Sequence, residues 1–422
     1  MNVDNFPGNS YSGVTGVDGQ MLTGMSNTHE MIAKAEDILW PARRAIAQVA
    51  ILFPQSSPMW DLLGEMASPN TIEDFTNHIL DDRTTDYLAE IWGLYQALAL
   101  HKNIPVDFVD EAGLLEIETL KPFKVIFATV PDLPSAGATS LGAWVKEGGT
   151  LITVSNTGSH DEYHEPSTVL ARLSGMRSKR NVPAEGGLYH GGRFILSGSG
   201  YWSGLEAVAN GTLIPSLCPN ATLCSFVACG AAGEFTAVNE DGYADDESPT
   251  SGSVLASFHN GQPAVKTTRS GMGHYIHFAW LPGISYSAGA GAGNPPPTTQ
   301  PEQKNVIATL LETLVRQYSG VQASVQVSID EIEAPLLSSP QGDVVTVLNH
   351  ALLGDLAWTV HPDGSSTFDG NLPIALNVSL GYAPSSVLST QLGPLSHIVS
   401  APGWVSVKLP TFHYADMIVF KR

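Results

Sequence analysis

The period of the hydrophobic pattern changes along the chain. Between residues 48 and 155, four short apolar runs are spaced by longer segments: QVAILFP (Gln48–Pro54), IPVDFVD (Ile104–Asp110), KVIFATV (Lys124–Val130) and TLITVS (Thr150–Ser155). Short apolar runs closed by Pro, Asp or Gly predict buried strands. Between the last two runs, Ser135–Lys146 has amphipathic helical spacing and ends at Gly148-Gly149. Upstream, Tyr87, Leu88, Ile91, Trp92, Tyr95, Leu98 and Ala99 fall on one stripe, which predicts a helix over Asp82–Lys102. The Gly113–Pro122 connection has room for a turn or two of helix. His29–Ile46 reads as a helical stretch broken at Pro41, and Met1 to about Ser26 as a polar Gly/Ser/Asn linker. This strand–helix–strand order predicts a parallel, flavodoxin-like α/β sheet with helices on both faces.

Beyond Gly158 the pattern loosens. A polar HDEYHEP segment precedes a short helix at Ser167–Gly175 and a strand RFILS within Gly-rich turns. Three strands, SVLASFH, PAVKTT and GHYIHFAW, are joined at Asn260-Gly261 and Ser270-Gly271, which predicts antiparallel hairpins added to the sheet. Ile284–Gln300 is a Gly/Pro loop, and Pro301–Tyr318 a helix returning to the α/β sheet. From Val321 the period is two, in short runs parted by Gly, Pro and Asp, as in a small antiparallel β-sandwich. The expected domains are a linker and helical lead-in (1–45), an α/β domain (46–320) and a β-sandwich (321–422).

Composition narrows the partners. The 422 residues are 43% hydrophobic, enough for a sizeable core, and only 14% charged. The 41 acidic against 20 basic residues give a net charge of −21, a surface that repels nucleic acid and anionic membranes. No apolar run reaches membrane-spanning length, and the first twenty residues carry neither a basic nor an apolar signal region. The chain is therefore expected to be cytoplasmic or a fragment of a secreted protein. Asn210-Gly-Thr, Asn220-Ala-Thr and Asn377-Val-Ser match the glycosylation sequon. The cysteines, Cys218, Cys224 and Cys229, lack zinc-site spacing and are compatible with one local disulfide or with three buried thiols.

Several of these pieces together resemble a known family. VAILFP, YLAEIWGLYQALALHKNIPVDFVDE, FKVIFATVPDLPSAGATSLGAWVKEGGTLITVSNTG and HDEYHEPSTVLARLSG look like the trimerisation domain of family 42 glycoside hydrolases, the bacterial β-galactosidase type. GQPAVKTTRSGMGHYIHFAWLPGISY resembles that domain's closing hairpin, and residues 321–422 its last β-sandwich domain. The resemblance implies a class I glutamine amidotransferase-like fold and a role in carbohydrate metabolism through oligomerisation. It implies a homotrimer, or association with an upstream barrel-bearing glycoside hydrolase. The family's catalytic glutamates lie in a barrel that needs about 250 residues. Only Met1–Ala47 precede the first strand here, so no residue inherits that role. The turn after KVIFATV has no Cys, so the ancestral amidotransferase nucleophile is missing as well.

The remaining chemistry is sparse. His160, Asp161, Glu162, His164 and Glu165 form the densest polar cluster, beyond a strand's carboxyl end, where α/β sheets place their sites. The cluster offers acid/base groups for a carbohydrate-active hydrolase, or ligands for a divalent cation, though its spacing matches no metal motif. Tyr201 and Trp202, in GSGYWSG, could stack on a neutral sugar as in a carbohydrate-binding module. Glu240, Asp241, Asp245, Asp246 and Glu247 form an acidic loop without EF-hand spacing. His274 and His277 are three apart on one strand and so face opposite sides. No Ser lies in G-x-S-x-G, and no cofactor or metal is expected.

Overall fold

The computed structural model describes residues 19–44, 46–59, 86–155, 157–180, 187–190, 193–196, 209–218, 224–228, 233–238, 244–245, 252–259, 261–288, 301–329, 332–349, 358–360, 366–368, 373–400, 403–410 and 415–422. They group into two compact units: Ile46–Ala323, and Ser324–Arg422 together with the first 45 residues.

The Ile46–Ala323 unit is built on five parallel strands: β1 (Val49–Phe53), β2 (Val106–Asp110), β3 (Val125–Ala128), β4 (Thr150–Thr153) and β5 (Gly273–Phe278). Their order across the sheet is β5-β4-β3-β1-β2. All four residues of β3 and of β4 are buried, as expected for strands covered on both faces. The chain leaves β1 in one direction to form β2 and crosses back to form β3. The carboxyl ends of β1 and β3 thus lie side by side where the connections diverge, the place where such sheets open a crevice. Antiparallel strands extend the sheet beyond β5: Pro263–Ser270, Ser253–Phe258, Ala209–Leu213 and Ser225–Ala228. Lys266, buried within this extension, holds its ammonium 5.7 Å from the centre of the Phe235 ring, and burial lowers its pKa.

The Ser135–Lys146 helix forms as its spacing predicts, burying Ala138, Leu141, Trp144 and Val145. Glycine explains its tight return to the sheet. Gly148 takes φ +122°, and a Cβ on Gly149 would lie 2.4 Å from the Trp144 ring. Between β2 and β3 lie two single helical turns, Glu111–Leu114 and Ile117–Leu120, the first starting just before the Gly113–Pro122 segment expected to hold a turn or two. The helix expected over Asp82–Lys102 is described as α-helix over Asp86–Tyr95 and as a π-turn over Gln96–His101. Its stripe needs correcting at Trp92. Ile91, Leu94 and Leu98 carry the buried face, and Trp92 stands 56% exposed, one helical step off it. Buried Glu90 on this helix accepts the amides of Gly283 and Ile284 at 2.9 and 2.8 Å, satisfying the start of the Pro282–Ala288 helix.

In the second unit the two larger antiparallel sheets share one apolar core, including Leu376, Val378 and Val407 from one sheet and Val345, Ile418 and Phe420 from the other. The first helix runs Gly19–Leu39, ten residues earlier than its expected start at His29. Ala35 and Ile38 pack on Val344 and Val419 of the larger sheet, so tertiary burial supports a segment whose local sequence is polar. Arg43–Arg44 then pairs with Leu337–Ser338. No helix among the described residues is long and apolar enough to cross a membrane.

Candidate functional site

At the end of β3 the chain runs through buried Thr129 and Val130 to Pro131 and Asp132. The segment beyond β4 folds back over this turn. Gly158 N donates to Val130 O, His160 N to Pro131 O, and Leu133 N to His160 O, at 2.9 to 3.1 Å. His160 forms isolated bridges with both Asp132 and Pro166. This small ladder carries the polar loop across the carboxyl edge of the sheet and brings residues far apart in sequence together.

The result is a cluster of Asp132, His160 and His164. Asp132 is fully buried, and its Oδ1 lies 2.6 Å from His164 Nδ1. The two imidazoles stack with centroids 4.4 Å apart and planes inclined by 14°. One ligand-type atom from each of the three residues falls within 4.8 Å of the others. Ser159 Oγ lies 3.0 Å from His160 Nδ1. His164 has φ +61°, in the left-handed region that residues other than glycine adopt uncommonly. From the neighbouring strand end, buried Ser57 accepts the Asp132 amide at 3.1 Å. A direct contact thus joins the segments that follow β1 and β3. Beside it, the Glu111 carboxylate accepts the amides of Gln55 and Ser56 and the Ser56 hydroxyl at 2.6–2.8 Å.

Of the five sequence candidates, the structure joins only His160 and His164. Asp161 turns its Oδ1 to the amides of Tyr163 and Glu165 at 2.9 and 3.0 Å, holding the loop's bend. Glu162 accepts the amide of Ser135 at 2.9 Å at the start of the Ser135–Lys146 helix. Glu165 is exposed. Sequence reasoning missed Asp132 because it sits 28 residues before His160, in a turn read for the absence of Cys rather than for its carboxylate. Tyr201 and Trp202 lie outside the described residues, as do Cys229 and most of the acidic loop. Cys218 and Cys224 are joined in a disulfide.

His274 and His277 point to opposite sides of β5, as their spacing requires. His274 meets the Tyr318 ring, while His277 lies against Phe235 and 2.5 Å from Thr153 Oγ1. Burial pushes the His277 imidazole down to a pKa of about 3. With Tyr275 and Ser159 it lines a cavity of about 30 Å³, room for a water molecule and far below the volume a sugar needs.

An Asp–His pair of this kind can orient and stabilise a charged imidazole, and two imidazoles with a carboxylate can ligate a cation. No family model and no curated protein matches the chain. Solved structures match its fold. A catalytic mutant of Gan42B, a family 42 β-galactosidase from G. stearothermophilus, is 14% identical, with 90% of this chain aligned to 41% of that one at a TM-score of 0.53. The cold-adapted β-galactosidase from Rahnella sp. R3 is 13% identical, with 97% aligned to 46% at 0.55. The α-L-fucosidase isoenzyme 2 from Paenibacillus thiaminolyticus is 12% identical, with 96% aligned to 53% at 0.52. The chain thus spans about half or less of the length of these enzymes and shares its fold with part of each.

Proposed function

We propose that this chain is a non-catalytic assembly scaffold of the kind that trimerises family 42 glycoside hydrolases. In this reading an amidotransferase-like, flavodoxin-like domain (46–320) precedes a β-sandwich (321–422). The strand order is that of flavodoxin-like sheets when β1–β5 are ranked along the chain, which supports the fold assignment. The chain's likeness to only part of each glycoside hydrolase supports a role beside a catalytic domain.

The observation that carries the reading is an aromatic run beside β2, the outermost described strand at that edge of the sheet. Phe53, Phe108 and Trp92 are 48%, 44% and 56% exposed. Ring centroids lie 6.3 Å apart for Phe53–Phe108, 5.8 Å for Phe108–Tyr95 and 5.7 Å for Tyr95–Trp92. Contiguous exposed aromatics beside an outer strand are what a protein interface uses and what a monomer avoids. The partner is a second copy of the chain, or the same surface in a barrel-bearing hydrolase.

The alternative, a carbohydrate-active hydrolase acting through the 160–165 loop, is less well supported. Two of its carboxylates, Asp161 and Glu162, are committed to backbone amides. The carbohydrate-binding alternative rests on Tyr201 and Trp202. An assay of the purified chain on aryl galactosides tests the scaffold reading. The expected result is no turnover above a protein-free control. Turnover overturns it, and loss of that turnover in a His160/Glu162/His164 triple alanine variant would assign the reaction to the loop.

A further inference from the structure

We propose that Asp132, His160 and His164 form a binding site for a single divalent transition-metal ion of the zinc class. The inference stands apart from the assembly role, since it rests on a cluster within one unit and on no interface.

The donor set selects the ion. Two imidazole nitrogens and one carboxylate oxygen suit zinc and its neighbours, whereas magnesium and calcium call for oxygen ligands throughout. Three protein ligands leave a further position for water, the composition of an open site rather than a closed structural one. The convergence is built into the backbone. Asp132 is fixed by its buried strand end and by Ser57, and His160 by bridges to Asp132 and Pro166. His164 is held at φ +61°, a conformation that costs energy and that the surrounding loop must enforce. Two imidazoles stacked 4.4 Å apart beside one buried carboxylate concentrate donor atoms in one place.

The ligand atoms follow from the contacts. Ser159 Oγ on His160 Nδ1 makes Nε2 the nitrogen that ligates from that ring, with the serine acting as the outer partner that orients it. Asp132 Oδ1 and His164 Nδ1, the facing atoms of the other two residues, are the remaining ligand atoms. The 160–165 sequence shows only two of the three ligands, which is why its spacing fits no metal motif.

Titration calorimetry with zinc chloride on the full chain, stripped beforehand with chelator, tests the proposal. The expected result is one ion per chain, with Asp132→Asn, His160→Gln and His164→Gln each weakening binding at least about tenfold. Glu165→Gln, a change to an exposed acidic neighbour, should bind as the unmodified chain does. Substituted cobalt should show visible absorption that the His160→Gln variant lacks. Should Asp132→Asn fail to fold by circular dichroism, the more exposed His160 variant and the cobalt spectrum still decide the matter. No zinc binding by the unmodified chain, or binding that all three variants keep, overturns the site.

Discussion

His164 Nδ1 lies 2.6 Å from the fully buried Oδ1 of Asp132, with 32 residues of chain between them. The contact ties the 160–165 loop to the end of β3 and gives a buried carboxylate its partner. Removing the ring takes one partner from that buried carboxylate, a change that costs up to about 3–5 kcal/mol where a pair is fully buried. His164 is 35% exposed, so water takes part of its place and the expected cost of His164→Ala is about 1–3 kcal/mol. His164→Asn should cost less than His164→Ala by about 0.5–1 kcal/mol, because Asn tolerates the left-handed backbone. Urea denaturation in the presence of chelator measures both, and equal losses would remove the strain argument.

Glu90 is fully buried and accepts two backbone amides, those of Gly283 and Ile284. Glu90→Ala strands both donors at the start of the Pro282–Ala288 helix, at an expected cost of about 2–4 kcal/mol. Thermal denaturation should show the loss, with Glu90→Gln between the two because its amide oxygen can still accept one bond.

His277 sets a dependence of stability on pH. Its folded pKa is depressed by burial to about 3, against 6.5 for an ordinary imidazole. The unfolded chain therefore takes up a proton below pH 6.5 that the folded chain refuses until about pH 3. Stability is complete above pH 6.5 and falls by about 1.4 kcal/mol per pH unit below it, until the folded group also titrates. In His277→Gln, denaturation midpoints measured from pH 7 to pH 4 should lose this component of the slope.

Two glycines separate close packing from backbone freedom. A Cβ on Gly273 would lie 2.1 Å from the carbonyl oxygens of Gly149 and Val145, so Gly273→Ala must move β5 away from the end of the Ser135–Lys146 helix. Its expected cost is about 3 kcal/mol or more. Gly261 has φ +86° with open space around it, and Gly261→Ala should cost about 1 kcal/mol. Comparable losses in the two variants would contradict the packing account.

Much of the architecture was legible in the residues because local signals and burial agree. The runs around Phe123–Ser155 are apolar enough to be covered on both faces, and Gly148-Gly149 marks where the helix turns back. The strands on either side of Gly261 and of Gly271 pair antiparallel, as those turn residues predict. Legibility failed where the deciding contact is remote. The first part of the Gly19–Leu39 helix, up to about Ser26, reads as linker, and the burial of Ala35 and Ile38 against Val344 and Val419 comes from residues remote in sequence. Nothing in PAVKTT singles out Lys266, yet it is buried against Phe235. At the candidate site the acidic residues nearest the histidines in sequence serve the backbone, and the carboxylate that joins the histidines comes from another turn.

The mass of the full chain in solution tests the assembly reading most directly. Sedimentation equilibrium at micromolar concentration should give a trimer of 44.8 kDa chains. Trp92→Glu with Phe108→Glu should shift it toward a single chain while the circular dichroism spectrum is unchanged. A folded single chain across that concentration range, or a trimer indifferent to both substitutions, would contradict self-assembly through the aromatic edge.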